Sequence, residues 1–365
     1  MRNPRAFTLV ELLFVVVVVG ALLAVQAVAV ASSRDQSSVR SDIADLRLIA
    51  QASAIYSDTY DDRLFTFSWQ PGEVPVTPNS QLAAACAALP TTGSNVQRAA
   101  VYQQLDLVTR NSDFPQIEPH TSFAPTAHTP YVVYNHLVLA HFMGEALPSE
   151  VFTSEGDRPR NSWQADMDAY FDDPFATHFQ PPIAPGNFNN LWRWPFSSSY
   201  MTGPSHYSND SGSLSDNPPR TVQRGAIHRQ WLMPTSVGVL GTRKINEVTH
   251  PSQKVMMFDE YDRYTGQYGQ YHGLDDSRSI MVFYDGSAGR LLTAQANFGF
   301  VPNNPDFGSS NPDQPSGIYI YRPVAGWNPP DAVEVNVAAR YDQTRDGLQG
   351  IDYQRGGVRR PIGSP

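Results

Sequence analysis

Twenty-five residues near the start of the chain, from Phe7 to Ala31, contain a single ionisable side chain, Glu11. As a helix rising about 1.5 Å per residue, such a run reaches past the roughly 30 Å of a bilayer core. It is too long for the apolar core of a secretory signal, which ends at a small-residue cleavage site. An ordinary membrane anchor fits its length, and Arg2 and Arg5 ahead of it would stay cytoplasmic. That reading leaves Glu11 unexplained, because a carboxylate inside an apolar span is costly and marks function.

The helical pattern does not stop at Ala31. No proline falls between Pro4 and Pro71, and Val39, Ile43, Leu46 and Ala50 share one helix face. Arg40, Asp42, Asp45 and Arg47 fall mostly off that stripe. The simplest structure is one helix from about residue 7 to about residue 60, apolar all round in its first half and amphipathic in its second. Asp58, Asp61 and Asp62 crowd its end. They lack the glycine and closing glutamate of a calcium loop and read as an exposed acidic terminus.

The remainder, residues 61–365, reads as a globular head. Helical pieces are expected near 81–89 and 96–107. The run YVVYNHLVLAHF (131–142) suits either a buried strand or a helix. A loop-rich insertion follows at about 144–235, whose Trp192, Trp194, Phe196 and Tyr200 read as core, with a carbohydrate- or partner-binding surface as the competing reading. Strands are expected at 254–261, 279–284 and 290–294, with Asp285-Gly286 turning a hairpin between the last two, and a further strand at 317–324. The fold class is therefore α+β: a long helix on a small antiparallel sheet.

Composition narrows the function classes. The formal charge of −9 removes the electrostatic footprint of a nucleic-acid binder, and Arg355, Arg359 and Arg360 are too few to restore it. A single cysteine, Cys86 in LAAACAAL, excludes an internal disulfide and reads as a small buried residue. Asp259, Glu260, His272, Asp275, Asp276 and Asp285 form a polar cluster from which an acid–base pair or metal site could be drawn. Turn and loop duties for them are the stronger reading, and neither a metal nor a cofactor is expected.

Two stretches resemble known families. The basic leader followed by A-F-T-L-V-E and an apolar helix resembles the signal of type IV pilins and type II secretion pseudopilins. The resemblance implies that prepilin peptidase cuts between Ala6, where the family usually has glycine, and Phe7, and methylates the new amino terminus of Phe7. Glu11 then becomes the fifth mature residue and neutralises the amino terminus of a neighbouring subunit, setting register more than stability. Residues 1–6 would be the leader, 7–31 the transmembrane and filament-core segment, and 32–60 the amphipathic continuation packed on the head, the lollipop shape of pilins. The second resemblance is to pilin-like bacterial proteins with a C-terminal H-X9-DG region. Pro251, Ser252, Lys254, Asp259 and Glu260 carry its first part. His272 and Asp285-Gly286 carry its second, with twelve residues between His272 and Asp285.

The expected function is a structural subunit, minor or specialised given its large head, of a pilus or secretion pseudopilus. Its partners would be the peptidase, other pilin or pseudopilin subunits and, before assembly, the bacterial inner membrane. It would cross that membrane once, N-terminus cytoplasmic, and then enter a periplasmic or cell-surface filament. A filament-tip or membrane-anchored module binding glycan or a secreted partner is the alternative, and a pilin-anchored enzyme ranks last.

Overall fold

The computed structural model describes residues 9–91, 95–112, 131–179, 193–206, 223–224, 231–232, 241–266, 269–299, 318–321, 323 and 332–354. The chain divides into two compact units, residues 1–41 and 42–365. Helix α1 runs Leu9–Thr59, within one residue of the expected end.

In the second unit, the buried face of α1 is Asp42, Leu46, Ile49, Ser53 and Tyr56. This face is rotated from the expected stripe. Val39, Ile43 and Ala50 are only half-buried, whereas Asp42 is fully enclosed. A stripe drawn through apolar residues alone misplaces the face because its first position, Asp42, is a hydrogen-bonded carboxylate. The helix ends in two consecutive left-handed residues, Asp61 (φ 57°) and Asp62 (φ 62°), and Asp62 N–H closes the last turn on Ser57 O at 2.8 Å. Aspartate is among the few non-glycine residues that adopt this conformation readily. Asp58, Asp61 and Asp62 are exposed, as expected, and Asp61 pairs with Lys244 at 2.9 Å.

Helices α2 (Ser80–Ala87) and α3 (Asn95–Asn111) occupy the two expected helical stretches. Asn79 caps α2 by accepting from Leu82 N–H at 3.1 Å. Cys86 is buried between them with Leu89 and Ala99, and burial pushes its thiol pKa up. The ambiguous run at 131–142 is helical throughout: α4 (Tyr131–Tyr134), a 3-10 turn (Asn135–Leu139) and α5 (Ala140–Met143). Gly144 (φ 67°) ends it in the left-handed conformation.

The main sheet has four antiparallel strands. β1 (Tyr200–Thr202) pairs with β4 (Val255–Asp259), which pairs with β7 (Arg278–Phe283), which pairs with β8 (Ala288–Leu292). The β7–β8 hairpin turns at Asp285-Gly286, as its sequence predicts. Gly286 has φ 80°, and Asp285 Oδ1 accepts from Ser287 N–H and Oγ–H at 2.9 and 2.6 Å. Two short ribbons precede and follow β4: β2 (Gln223–Arg224) with β3 (Trp231–Leu232), and β5 (Tyr261–Asp262) with β6 (Gln270–Tyr271). The strand expected at 317–324 forms as β9 (Ile318–Tyr321), but it joins β10 (Val335–Ala338) in a separate ribbon and not the main sheet.

The region expected as a loop-rich insertion is more integrated than its composition indicates. It supplies the edge strand β1, and its helices α6 (Arg158–Ala165) and α7 (Met167–Asp172) are capped by Asp157 and Asp166. Trp163, Tyr170 and Phe179 make a core cluster there, with Trp194 packed on its side. Phe196 and Tyr200 are buried, so the core reading holds for these aromatics; Trp192 lies outside the described residues.

Candidate functional site

The sequence places its functional residues in two groups, one in each unit. In the first, Glu11 lies on α1, while Ala6 and Phe7 fall outside the described residues. Around Glu11, the side chains of Leu13, Phe14, Val16, Val17 and Val18 are described, and all are exposed, four of them by more than 60%. Scattered exposed apolar residues are ordinary, but five within six positions of one helix form a surface that demands a cover. Among the described residues no helix is long and apolar enough to cross a membrane; most side chains of the run 7–31 lie outside that set.

The second group is brought together by β4. Strand β4 begins at Lys254's neighbour Val255 and ends at Asp259, so the first part of the C-terminal pattern brackets it, with Asp259 as its last residue. The second part meets it at both ends. Asp285 N–H donates to Pro251 O at 3.1 Å and Tyr284 N–H to Lys254 O at 3.2 Å. At the other end, His272 N–H donates to Glu260 O at 3.1 Å, and His272 Nδ1 lies 3.2 Å from the same carbonyl. Pro251, Ser252 and Asp285 are exposed; Lys254, Asp259, Glu260 and His272 are buried. The pattern thus marks backbone junctions around the central strand.

Lys254 is fully enclosed and would be untenable without partners. Its Nζ donates to Thr344 Oγ1 at 2.6 Å and to Asp352 Oδ2 at 2.9 Å. Asp352 also accepts from Val255 N–H at 2.8 Å and from Thr344 Oγ1–H at 2.6 Å. This knot fixes the segment 340–353 against β4.

A second network lies at the opposite end of β4 and includes residues that sequence reasoning missed. Asp42 of α1 accepts from Ser154 Oγ at 2.5 Å, Tyr264 Oη at 2.7 Å and Glu155 N–H at 3.0 Å. Burial raises its pKa against those hydrogen bonds. Asp157 accepts from Ser199 Oγ at 2.7 Å and pairs with Arg160 and, at 2.9 Å, with Arg263. Burial pushes its pKa up, but the two guanidinium groups more than offset this and hold it low. Arg263 also grips Asp259 through Nε at 2.9 and 3.0 Å. There burial dominates over Arg263, and the Asp259 pKa rises to about 7. The one available signal was spacing: Asp42 sits four residues before Leu46 on the face that continues through Ile49, Ser53 and Tyr56.

Chemically, these networks commit their reactive groups. Ser154 and Ser199 donate to carboxylates and not to an imidazole. His206 is spanned by Phe65 O at 2.8 Å and Tyr284 Oη at 2.9 Å, and burial lowers its pKa to about 3. Among the described residues no cluster of His, Cys, Asp and Glu could hold a metal ion.

The comparison with known families bears on the first group. The model of the prokaryotic N-terminal methylation motif matches residues 1–25. The chain carries a prepilin-type signal. That signal implies processing by prepilin peptidase and a pilin-like protein, anchored in a membrane and then assembled with other pilins in a surface filament. The match covers Ala6, Phe7 and Glu11 and stops well short of the head. No curated protein and no solved structure matches the chain.

Proposed function

We propose that this protein is a structural subunit, minor or specialised, of a type IV pilus or type II secretion pseudopilus, with no catalytic activity of its own. The observation that carries the reading is the methylation motif at 1–25 running directly into a helix whose described apolar side chains, Leu13 to Val18, are exposed. Residues 7–31 cross the inner membrane once before assembly, and the same surface is later covered by copies of the helix in the filament core. The head packs on the amphipathic half of the helix in the pilin lollipop arrangement.

Peptidase cleavage before Phe7 creates a cationic amino terminus inside the apolar layer. Glu11 of a neighbouring subunit neutralises it. In a low-dielectric layer the attraction is strong but desolvation cancels much of it, so the pair sets register more than affinity. Glu11→Gln keeps the shape and removes the charge. The variant should still insert in the membrane and still be cleaved, yet fail to enter filaments or slow their assembly. Wild-type incorporation of Glu11→Gln, measured in sheared filament fractions, would refute the register role.

A further inference from the structure

A groove of about 660 Å³ opens beside the C-terminal end of α1, in the second unit. It belongs to neither group of residues above, and nothing in the methylation motif bears on it. Its volume is that of a small-molecule site. Aromatic rings from separate segments line it. Tyr60 and Phe142 lie 5.9 Å apart, edge to face, over Tyr56 at 4.7 and 5.5 Å respectively, and Trp69 contributes from the loop that follows β-bridge residue Arg63. Tyr60 is 48% exposed, and Trp69 and Phe142 are half-buried, so ring surface remains open to the groove.

Planar polar groups share the lining: Arg63, Glu73, Arg110 and Asn111. The charges there balance. Asp61 is neutralised by Lys244 at 2.9 Å, and Arg110 by the buried Asp106 at 2.9 Å. Arg63 and Glu73, both exposed and without a salt bridge among the described residues, leave one charge of each sign. A net-neutral groove does not favour nucleotides or acidic polymers, which need a cationic surplus. Open ring faces bordered by both donors and acceptors suit a molecule with apolar C–H faces and a dense rim of hydroxyls.

We propose that this groove binds a neutral saccharide, its pyranose faces against Tyr60, Trp69 and Phe142 and its hydroxyls on Arg63, Glu73 and Asn111. The site lies wholly within the second unit and does not depend on the filament reading.

The test uses the full-length chain in a detergent without a sugar headgroup. Maltotriose, cellotriose and chitotriose are titrated by calorimetry and tryptophan fluorescence, with trigalacturonate and a decaproline peptide as competitors of other chemistry. At least one neutral trisaccharide should bind at millimolar concentration or below. Tyr60→Ala and Arg63→Ala should each weaken that binding by about tenfold, while far-ultraviolet circular dichroism stays wild-type. The Arg63 change leaves the backbone bridge intact, so it remains informative if the Tyr60 variant is destabilised. The proposal is overturned if no neutral trisaccharide binds the folded protein, if binding survives both substitutions, or if trigalacturonate or decaproline binds more tightly than the neutral sugars.

Discussion

Replacing Lys254 with methionine removes a charge from a site with no solvent exposure and leaves Asp352, only 2% exposed, without its cation. Breaking a buried pair by deleting one partner costs about 3–5 kcal/mol, because the survivor is a desolvated charge. Asp352→Asn alone should cost a similar amount. The double variant should cost far less than the sum, because neither charge is then stranded. It should not return to wild type, since Val255 N–H and Thr344 Oγ1–H both use Asp352 as acceptor, and a weakened buried hydrogen bond costs about 1–3 kcal/mol. A coupling energy of about 3 kcal/mol or more is therefore expected from the four-protein cycle, the two single costs summed less the smaller cost of the double variant. Urea unfolding followed by circular dichroism reads it. With a slope of about 3 kcal/mol/M, each single variant should shift the midpoint down by about 1 M or more. Single variants within about 0.5 kcal/mol of wild type, or strictly additive costs, would refute the claim that this knot holds the C-terminal segment on β4.

Two further outcomes follow from the second unit. Leu46→Ala, at a position with no exposure, should cost about 2–5 kcal/mol in the same assay, whereas Ala50→Ser on the half-buried flank should cost little. Stability should also fall as pH rises from about 4 to 7. The Asp259 pKa is raised to about 7 by burial, and that of Asp42 is raised as well. Over that window the folded unit keeps protons that the unfolded chain has released, so unfolding becomes easier as those carboxyls ionise. Asp157, held low, acts in the opposite sense, its contribution being lost only as pH falls below the ordinary carboxylate range. Asp259→Asn should flatten the profile between pH 4 and 7; an unchanged slope would remove Asp259 as its source.

Local signals were legible in the sequence wherever the physics is local. The proline-free run gave α1 to within a residue of its end, and Asp285-Gly286 gave the β7–β8 turn because only a few residue types tolerate that backbone. The 131–142 run is ambiguous because its buried stretch, residues 134–140, has no alternation to read. Strand β1 is invisible in the sequence: Tyr200–Thr202 is three residues long, all buried, and set between three serines and Gly203-Pro204, so it carries no period. Lys254 stood out as part of a familiar pattern, but its partner Asp352 is 98 residues away, and no spacing rule connects them. Asp42 falls mostly off the apolar stripe, because a helix face is normally read through apolar residues alone. Its partners Ser154 and Tyr264 come from loops 112 and 222 residues distant.

The central claim is that residues 1–25 act as a prepilin signal in this chain. Intact-mass and N-terminal peptide mass spectrometry of the protein from its native membrane or filament fraction tests it most directly. The account predicts a mature chain beginning at N-methylated Phe7, with residues 1–6 absent. A population that retains Met1 to Ala6 in the presence of an active prepilin peptidase would contradict it.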